Sequence, residues 1–413
     1  MLGHPIERIR FIEPDVGGGF GVRGEFYPED FLIPYLSMTL DRPVKWIEDR
    51  REHLVATNHS RQQIHDAEIG ATREGRLVAL VDRVVVDMGA YLRTHGVTVP
   101  ELTAAMLPGP YRVPHYRCEV LCAMTNKTPT GTYRSPGRFE ANFVRERMVD
   151  LLAGALGLDP AEIRRRNFVR PEAMPYAVGT RALGEPTTYD TGSYASTLEE
   201  ALRAVGYDRL RTREAQTHGA RRRTGIGLAC FVEKAGPGPW EYARVELDGD
   251  GRAAVFSGAA SVGQGIDTVL AQICAQELGL SIDAVTVVHG DTATVPQGIG
   301  AWGSRATVVG GSAALFAARN VREQILDRAA GYLEASKADL VIADGRVAVR
   351  GAPSRAARFA ELAAGGLEAT HVFHAERMTY PYGAHAARVE VDVETGQIEI
   401  LDYAVAYDVG KAI

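Results

Sequence analysis

The spacing of apolar residues predicts a chain in which helices and strands are mixed. Ile6 to Ile12 alternates apolar and polar side chains like a half-buried strand, and a glycine-rich loop, Gly17 to Gly21, follows it. A helix is expected near Pro28 to Leu40 and a strand at Pro43 to Glu48. Ile64 to Ala71 and Leu77 to Asp87 read as a hairpin turning at Arg73-Glu74-Gly75, with a further strand at Tyr116 to Met124. Glu140 to Leu156 is amphipathic and stops at Gly157; Asp159-Pro160 then opens a short helix, because proline suits a first turn whose N–H groups have no partner.

A second series begins near Gly225. Strands are expected at Ile226 to Val232, Glu241 to Leu247 and Ala253 to Ser257, then a helix from Thr268 to Leu278 capped by Gly279, and a strand at Ala284 to Val288. A long helical region covers Ala306 to Ala330, Ala335 to Val349 has mixed character, and Glu394-Thr395-Gly396 joins Ala386 to Val393 and Gln397 to Ala406 in a closing hairpin. The fold class is therefore α+β, with two mixed α/β domains at 1–220 and 221–413. Their border falls in the polar stretch 208–223, where Arg221-Arg222-Arg223 reads as part of a solvated linker. Both ends look cut: Met1-Leu2-Gly3 resembles the tail of a helix whose body is missing, and after the last hairpin the chain stops at Ile413 without a closing element; the alternative is that each terminus is simply frayed.

Composition narrows the function classes. With 413 residues, 46% of them hydrophobic and 24% charged, the chain is long enough for two or three domains. A net charge of −6 with dispersed basic residues argues against nucleic acid as a partner. No apolar run approaches the ~20 residues of a membrane helix, and the N-terminus lacks the layout of a signal peptide, so a soluble, cytoplasmic protein is expected. The four cysteines, Cys118, Cys122, Cys230 and Cys274, contain no CxxC pair and read as buried thiols. His53, His59, His95, His115 and His385 lack metal-ligand spacing and read as structural.

Glycine is the informative excess, at 44 residues. Gly17-Gly18-Gly19-Phe20-Gly21 allows successive N–H groups to face one space, a geometry suited to anionic oxygens, but it departs from the dinucleotide fingerprint GxGxxG. Val262-Gly263-Gln264-Gly265 precedes a helix, where Gln264 would offer its amide to a ligand or cap the helix. Gly298 to Arg305 supplies Ser304, Arg305 and backbone amides, a set able to converge on phosphate, and runs into Gly310-Gly311, which equally suits close helix packing. Thr132-Tyr133-Arg134-Ser135-Pro136-Gly137-Arg138 places two guanidiniums around a turn, as an anion site or as ion-paired surface arginines. Glu185, beside Gly184, reads as a surface carboxylate.

Taken together these motifs resemble the molybdenum-binding large subunit of the xanthine dehydrogenase, aldehyde oxidase and carbon monoxide dehydrogenase family. The likeness covers essentially the whole chain. It rests on Gly17 to Arg23, Thr132 to Arg134 with Gly137-Arg138, Gly263 to Gly265, Gly303 to Arg305 with Gly310-Gly311, and the closing His385, Glu390 to Asp392, Thr395-Gly396 and Asp408 to Gly410 pattern. The resemblance implies two molybdopterin-binding domains with glycine-rich loops at their interface, and a molybdenum–molybdopterin cofactor, in bacteria usually the cytosine dinucleotide. It places Phe20 and Arg134 at the catalytic centre. It assigns Gly19, Phe20, Gly21, Arg134, Gly263, Gln264, Gly265, Ser304 and Arg305 to cofactor binding, with no protein ligand to the metal.

The implied reaction is hydroxylation of a carbon next to nitrogen or oxygen, with molybdenum reduced by two electrons and a glutamate as general base. In the family that glutamate lies beyond Ile413, and a glutamine near the metal lies before Met1, so this chain is expected to be the central part of a large subunit and inactive alone. Iron–sulfur and FAD partner chains would carry electrons away, and either another chain would supply the missing segments or the sequence is a truncated form of a longer one. Carbon monoxide enzymes place a copper-binding cysteine directly after the arginine matching Arg134; Ser135 stands there instead, which leaves aldehydes and N-heterocycles as substrates. Glu25 lies one residue out of register with a purine-pocket carboxylate and carries no xanthine assignment. The rival readings are a non-catalytic molybdopterin-binding or scaffold module and an unrelated phosphate-binding α+β protein.

Overall fold

Leu80, Val84, Val86 and Met88 all face one side of the strand Leu77–Gly89, because successive side chains of a strand alternate between faces. The computed structural model of the chain describes residues 2–214 and 221–413. They form two compact units interleaved in sequence: residues 1–19, 234–378 and 411–413 in one, residues 20–233 and 379–410 in the other.

In the second of these units, Leu77–Gly89 is the middle of a three-stranded sheet, antiparallel to Gln63–Ala71 and parallel to His115–Met124. The hairpin at Arg73-Glu74-Gly75 forms as expected. The helix Arg138–Leu156 packs there through Ala141, with Leu80 and Leu107 beneath it, and ends where Gly157 takes φ +65°, which glycine tolerates without a Cβ clash. Asp159 caps the next helix, Pro160–Asn167, accepting from the N–H groups of Ala161 and Glu162. A second sheet runs Ile398–Asp408, Tyr382–Asp392, Arg222–Val232, all antiparallel, against the helix Tyr194–Val205.

A buried polar hub ties these parts together. The Glu146 carboxylate accepts from Arg145, Arg164, the Tyr111 hydroxyl and the Cys230 N–H at 2.9–3.0 Å. Two guanidiniums and two neutral donors thus satisfy one buried carboxylate, the condition under which a charge is tolerated out of water.

In the other unit the sheet order is Leu367–His374, Trp240–Leu247, Ala253–Ser257, Val285–Val288, with the last pair parallel. The helices Ile266–Leu278 and Gly311–Tyr332 bury their apolar faces in one core with it. Gly311, Ala313, Ala314, Ala317 and Ala318 make the buried face of the long helix small, so it lies close to its neighbours: a Cβ on Gly311 would stand 3.0 Å from Ile273 Cδ1. A meander, Leu340–Ala343, Arg346–Val349 and Ala352–Arg358, resolves the stretch of mixed character into strands.

Several expectations are corrected. Ile6 to Ile12 is not a strand: Ile6–Arg8 is a 3-10 turn, only Ile12 bridges Asp291, and Ile6, Ile9 and Phe11 are exposed. Alternation alone cannot make a strand when no ladder partner is aligned with it among the described residues. Pro43 to Glu48 forms no strand, and Asp49 and Glu52 form a reciprocal capping box that starts the helix Arg50–Ala56. The linker 208–223 is helical to Glu214 and stranded from Arg222; residues 215–220 lie outside the described residues. Cys230 and Cys274 are buried as expected, but Cys122 is exposed and Cys118 half-buried on an edge strand. Among the described residues no helix is long and apolar enough to cross a membrane.

Candidate functional site

Each unit gathers part of the predicted site. In residues 20–233 and 379–410, the turn Phe20-Gly21 lies along the loop Thr132 to Ser135. The Phe20 carbonyl accepts from Arg134 N–H at 2.7 Å, and the Gly21 carbonyl accepts from the Thr132 hydroxyl at 3.1 Å. Gly21 has φ +97°, and a Cβ there would stand 2.9 Å from the Thr132 carbonyl oxygen, so the close approach requires glycine. Phe20 itself adopts φ +53°, an unfavourable setting for a bulky residue, and its ring is 58% exposed. The Arg134 guanidinium stands 5.7 Å from that ring's centroid, within cation–π range, and the side chain is otherwise exposed. Gly137, at φ +71°, lets the end of this loop press against the backbone of Val99 and Thr103. Arg138 is occupied by Glu233 at 2.6 Å, so Arg134 is the guanidinium of the pair that faces outward.

In the other unit, the start of the first glycine motif meets the second. Gly263 has φ +90°, and a Cβ on it would lie 3.2 Å from the Val16 carbonyl oxygen and 4.0 Å from Gly18 N. Gly265, φ +78°, is the N-cap of Ile266–Leu278, whose first-turn N–H groups are the positive end of the helix dipole. The Gln264 side chain is turned back on its own loop: its oxygen accepts from Val262 N–H at 2.7 Å and its amide donates to Ala260 O at 3.3 Å. Gln264 therefore neither caps the helix, whose N-cap is Gly265 with no side-chain bond, nor holds its amide free, and it braces its own loop instead.

Ser304 is exposed at φ +60°, and its carbonyl accepts from Gly236 N–H at 3.1 Å. Arg305, expected to converge with Ser304 on phosphate, has its guanidinium turned inward. Its guanidinium and the Glu241 carboxylate are both 0% exposed and meet at 2.5 Å. Arg305 also donates to the carbonyls of Pro237, Trp240 and Gly300 at 2.5–3.0 Å, and Glu241 accepts from the N–H groups of Ile299 and Gly300 at 3.1–3.3 Å. The pair therefore fixes the 298–304 loop from beneath. At the start of that loop Gly298 packs against Gly258 so closely that a Cβ on Gly258 would stand 2.5 Å from Gly298 Cα. A π-helical turn, Ala306–Gly310, follows, a local widening that often accompanies functional sites.

Glu241 was not singled out from the sequence, although a signal was present. It shares the inward face of its strand with Ala243, Val245 and Leu247, and a carboxylate at such a position needs a buried partner. The closing motif is structural. Asp392 accepts from Glu394 N–H and Thr395 N–H at 3.0 and 3.2 Å, and Arg221 at 3.0 Å holds its carboxyl below the usual range. The His385 ring bonds the Tyr403 hydroxyl at 2.7 Å, and burial pushes its pKa down. Tyr382 bonds Asp408 at 2.7 Å. Glu25, buried, accepts from His95 N–H at 3.2 Å, and Glu185 is exposed at the start of a strand.

The donor set suits a ligand held by main chain. Among the described residues no group of three or more His, Cys, Asp and Glu side chains is placed to hold a metal ion, while the exposed loops offer glycine backbone, a helix N-terminus and hydroxyls. Pterin and phosphate oxygens match such backbone and hydroxyl donors.

Comparison with known proteins agrees. Residues 1–168 and 200–413 each match a molybdopterin cofactor-binding domain family. The chain belongs to this family of molybdopterin cofactor-binding domains. It is 37% identical over 426 residues to the 6-hydroxypseudooxynicotine dehydrogenase complex subunit gamma of Paenarthrobacter nicotinovorans, covering 100% of this chain and 54% of that one. It is 36% identical to the carbon monoxide dehydrogenase large chain of Hydrogenophaga pseudoflava, with the same coverage. The crystal structure of quinoline 2-oxidoreductase from Pseudomonas putida 86 superposes with a TM-score of 0.89 at 35% identity, over 97% of this chain and 54% of that chain. The chain thus spans about half the length of the relatives it matches.

Proposed function

We propose that this chain is part of a molybdenum hydroxylase large subunit which binds molybdopterin, as the cytosine dinucleotide, and hydroxylates an N-heterocycle or an aldehyde. The observation that carries this reading is the pairing of glycine loops, Gly263 against Val16 and Gly18, beside the loop held by Glu241 and Arg305. Gly19, Gly263, Gly265 and Ser304 would bind pterin and phosphate oxygens through backbone and hydroxyl, with Gln264 bracing its loop from its own side chain. Arg305 acts through the 298–304 loop, not by direct contact with phosphate. When bound, the cofactor supplies a two-electron acceptor for the substrate carbon.

Phe20 and Gly21 would border the reacting centre, and Arg134 would orient the substrate's heteroatom and stabilise negative charge that develops there. An N-heterocycle is favoured over carbon monoxide because Ser135 offers no thiolate for copper, and because relatives include a nicotine 6-hydroxylase large subunit of Paenarthrobacter nicotinovorans at 33% identity. Electrons would pass to iron–sulfur and FAD subunits in the cytoplasm, consistent with relatives named as a subunit gamma and large chains.

The test is to purify the complex formed with its partner chains and measure molybdenum together with CMP released by acid hydrolysis. A near-stoichiometric yield of both, with reduction of the complex by quinoline- or pyridine-type substrates and not by carbon monoxide, is the expected result. Absence of both molybdenum and CMP from a folded complex would overturn the assignment.

A further inference from the structure

We infer that Arg61, backed by Asn58, is a positioning residue that sets the conformation of the loop carrying Arg134. The inference rests on the proposed role of that loop in substrate binding and adds the residues that determine its shape. Segment 57–61 runs beside 129–135: His59 bridges Thr130 in parallel, accepting from Gly131 N–H at 3.0 Å and donating its own N–H to Pro129 O at 3.0 Å. Past this bridge, side chains replace the ladder. Asn58 Nδ2 donates to Thr132 O at 3.0 Å, while Arg61 donates to Tyr133 O at 3.2 Å, to Arg134 O, and to Ser135 O at 3.3 Å. Four consecutive carbonyls are thereby fixed by two side chains.

The Arg61 fork is itself fixed. It bonds the buried Glu140 carboxylate at 3.2 Å, and its guanidinium lies 4.6 Å from the Phe139 ring centroid and 5.5 Å from that of Tyr133. Asn58 is buried, accepts from the Tyr27 hydroxyl at 2.6 Å, and fills the space beside Gly131. The backbone records the constraint: Phe20, Arg61 and Ser135 have φ of +53°, +76° and +55°, and all belong to this one assembly. Non-glycine residues persist in that region only where their surroundings over-determine them. A guanidinium suits the task because a planar fork reaches several acceptors at once, which an ammonium cannot do with the same geometry.

The test uses the complete complex carrying Arg61→Lys and Arg61→Ala. Amide exchange of Arg134, Arg138 and Phe139 is compared with that of the helix Gly311–Tyr332, alongside molybdenum content and steady-state kinetics. In Arg61→Ala the loop amides should exchange about tenfold faster or more, as expected when bonds from a charged donor are lost. Helix exchange and molybdenum content should be unchanged, and KM should rise more than kcat falls. Arg61→Lys should lie between parent and Ala, and millimolar methylguanidinium should restore slow exchange and KM in Arg61→Ala. Unchanged loop exchange, or faster exchange spread equally through the chain, would overturn the inference. A parent complex without molybdopterin would overturn the functional reading instead, while loop exchange would still decide whether Arg61 holds the loop.

Discussion

The backbone carbonyl of Phe20 accepts a 2.7 Å hydrogen bond from the N–H of Arg134, a residue more than a hundred positions away, and the Arg134 guanidinium stands 5.7 Å from the Phe20 ring. The bond joins the end of the first glycine motif to the arginine loop. It makes the position of one depend on the conformation of the other. The aromatic ring and the cation are both exposed, the pair that the proposed function assigns to the substrate.

Arg134→Ala in the assembled complex should lower turnover by about tenfold or more, because the charge-assisted contact to the substrate proposed above would be lost. Molybdenum content should stay near that of the parent. Equal loss of both would assign Arg134 to holding the cofactor loop.

Gly21→Ala should reduce the unfolding free energy by about 1–3 kcal/mol, since φ +97° is unfavourable for alanine and its Cβ would press on Thr132 O. Gly17→Ala provides the contrast. Nothing lies within 4 Å of a Cβ there, so its effect should stay within about 0.5 kcal/mol. Urea denaturation of both variants measures the difference, and similar losses at the two sites would contradict the account of Gly21.

Glu241→Gln should cost about 3–5 kcal/mol, because it leaves the Arg305 guanidinium charged and unpaired at 0% exposure. Replacing both residues together, Glu241→Leu with Arg305→Met, should recover part of that loss. The double variant should still lose cofactor, because the Ile299 and Gly300 amides no longer have the carboxylate that orders them. Chemical denaturation and molybdenum content read the two effects separately.

Burial pushes the thiols of Cys230 and Cys274 up to about 12, and both are inaccessible, so neither should react with iodoacetamide in the folded chain at pH 8. Cys122 is exposed and should be the first thiol alkylated. Mass mapping after a short pulse checks the order.

Asp291 is held at about 2 by hydrogen bonds from Arg10 and the Ala293 N–H. A carboxyl depressed in the folded state contributes stability above its unfolded pKa, about 3.9, and that contribution fades as pH falls toward 2. The tie between residues 10–13 and the 290–292 turn should therefore loosen between pH 4 and about 2. In Arg10→Ala, the Asp291 carboxyl titration followed by NMR should move up toward the ordinary value. An unchanged titration would show that the Ala293 amide alone sets it.

Local chemistry carried much of this protein's architecture in readable form. Pro28 at a helix start, Gly157 and Gly279 at helix ends, the Arg73-Glu74-Gly75 turn and the Glu394-Thr395-Gly396 turn each specify backbone within a few residues. Molybdopterin was implied by the resemblance of the glycine motifs, in their order, to those of a known family, and no single loop specified it. Tertiary structure decided the rest. Whether Ile6 to Ile12 becomes a strand depends on a ladder partner, which no property of the segment itself provides. The inward direction of Arg305 depends on Glu241, 64 positions away, and the shape of the Arg134 loop depends on Arg61, 73 positions before it. A charged side chain takes the direction of the partner that compensates its desolvation, and only the folded chain brings that partner within reach.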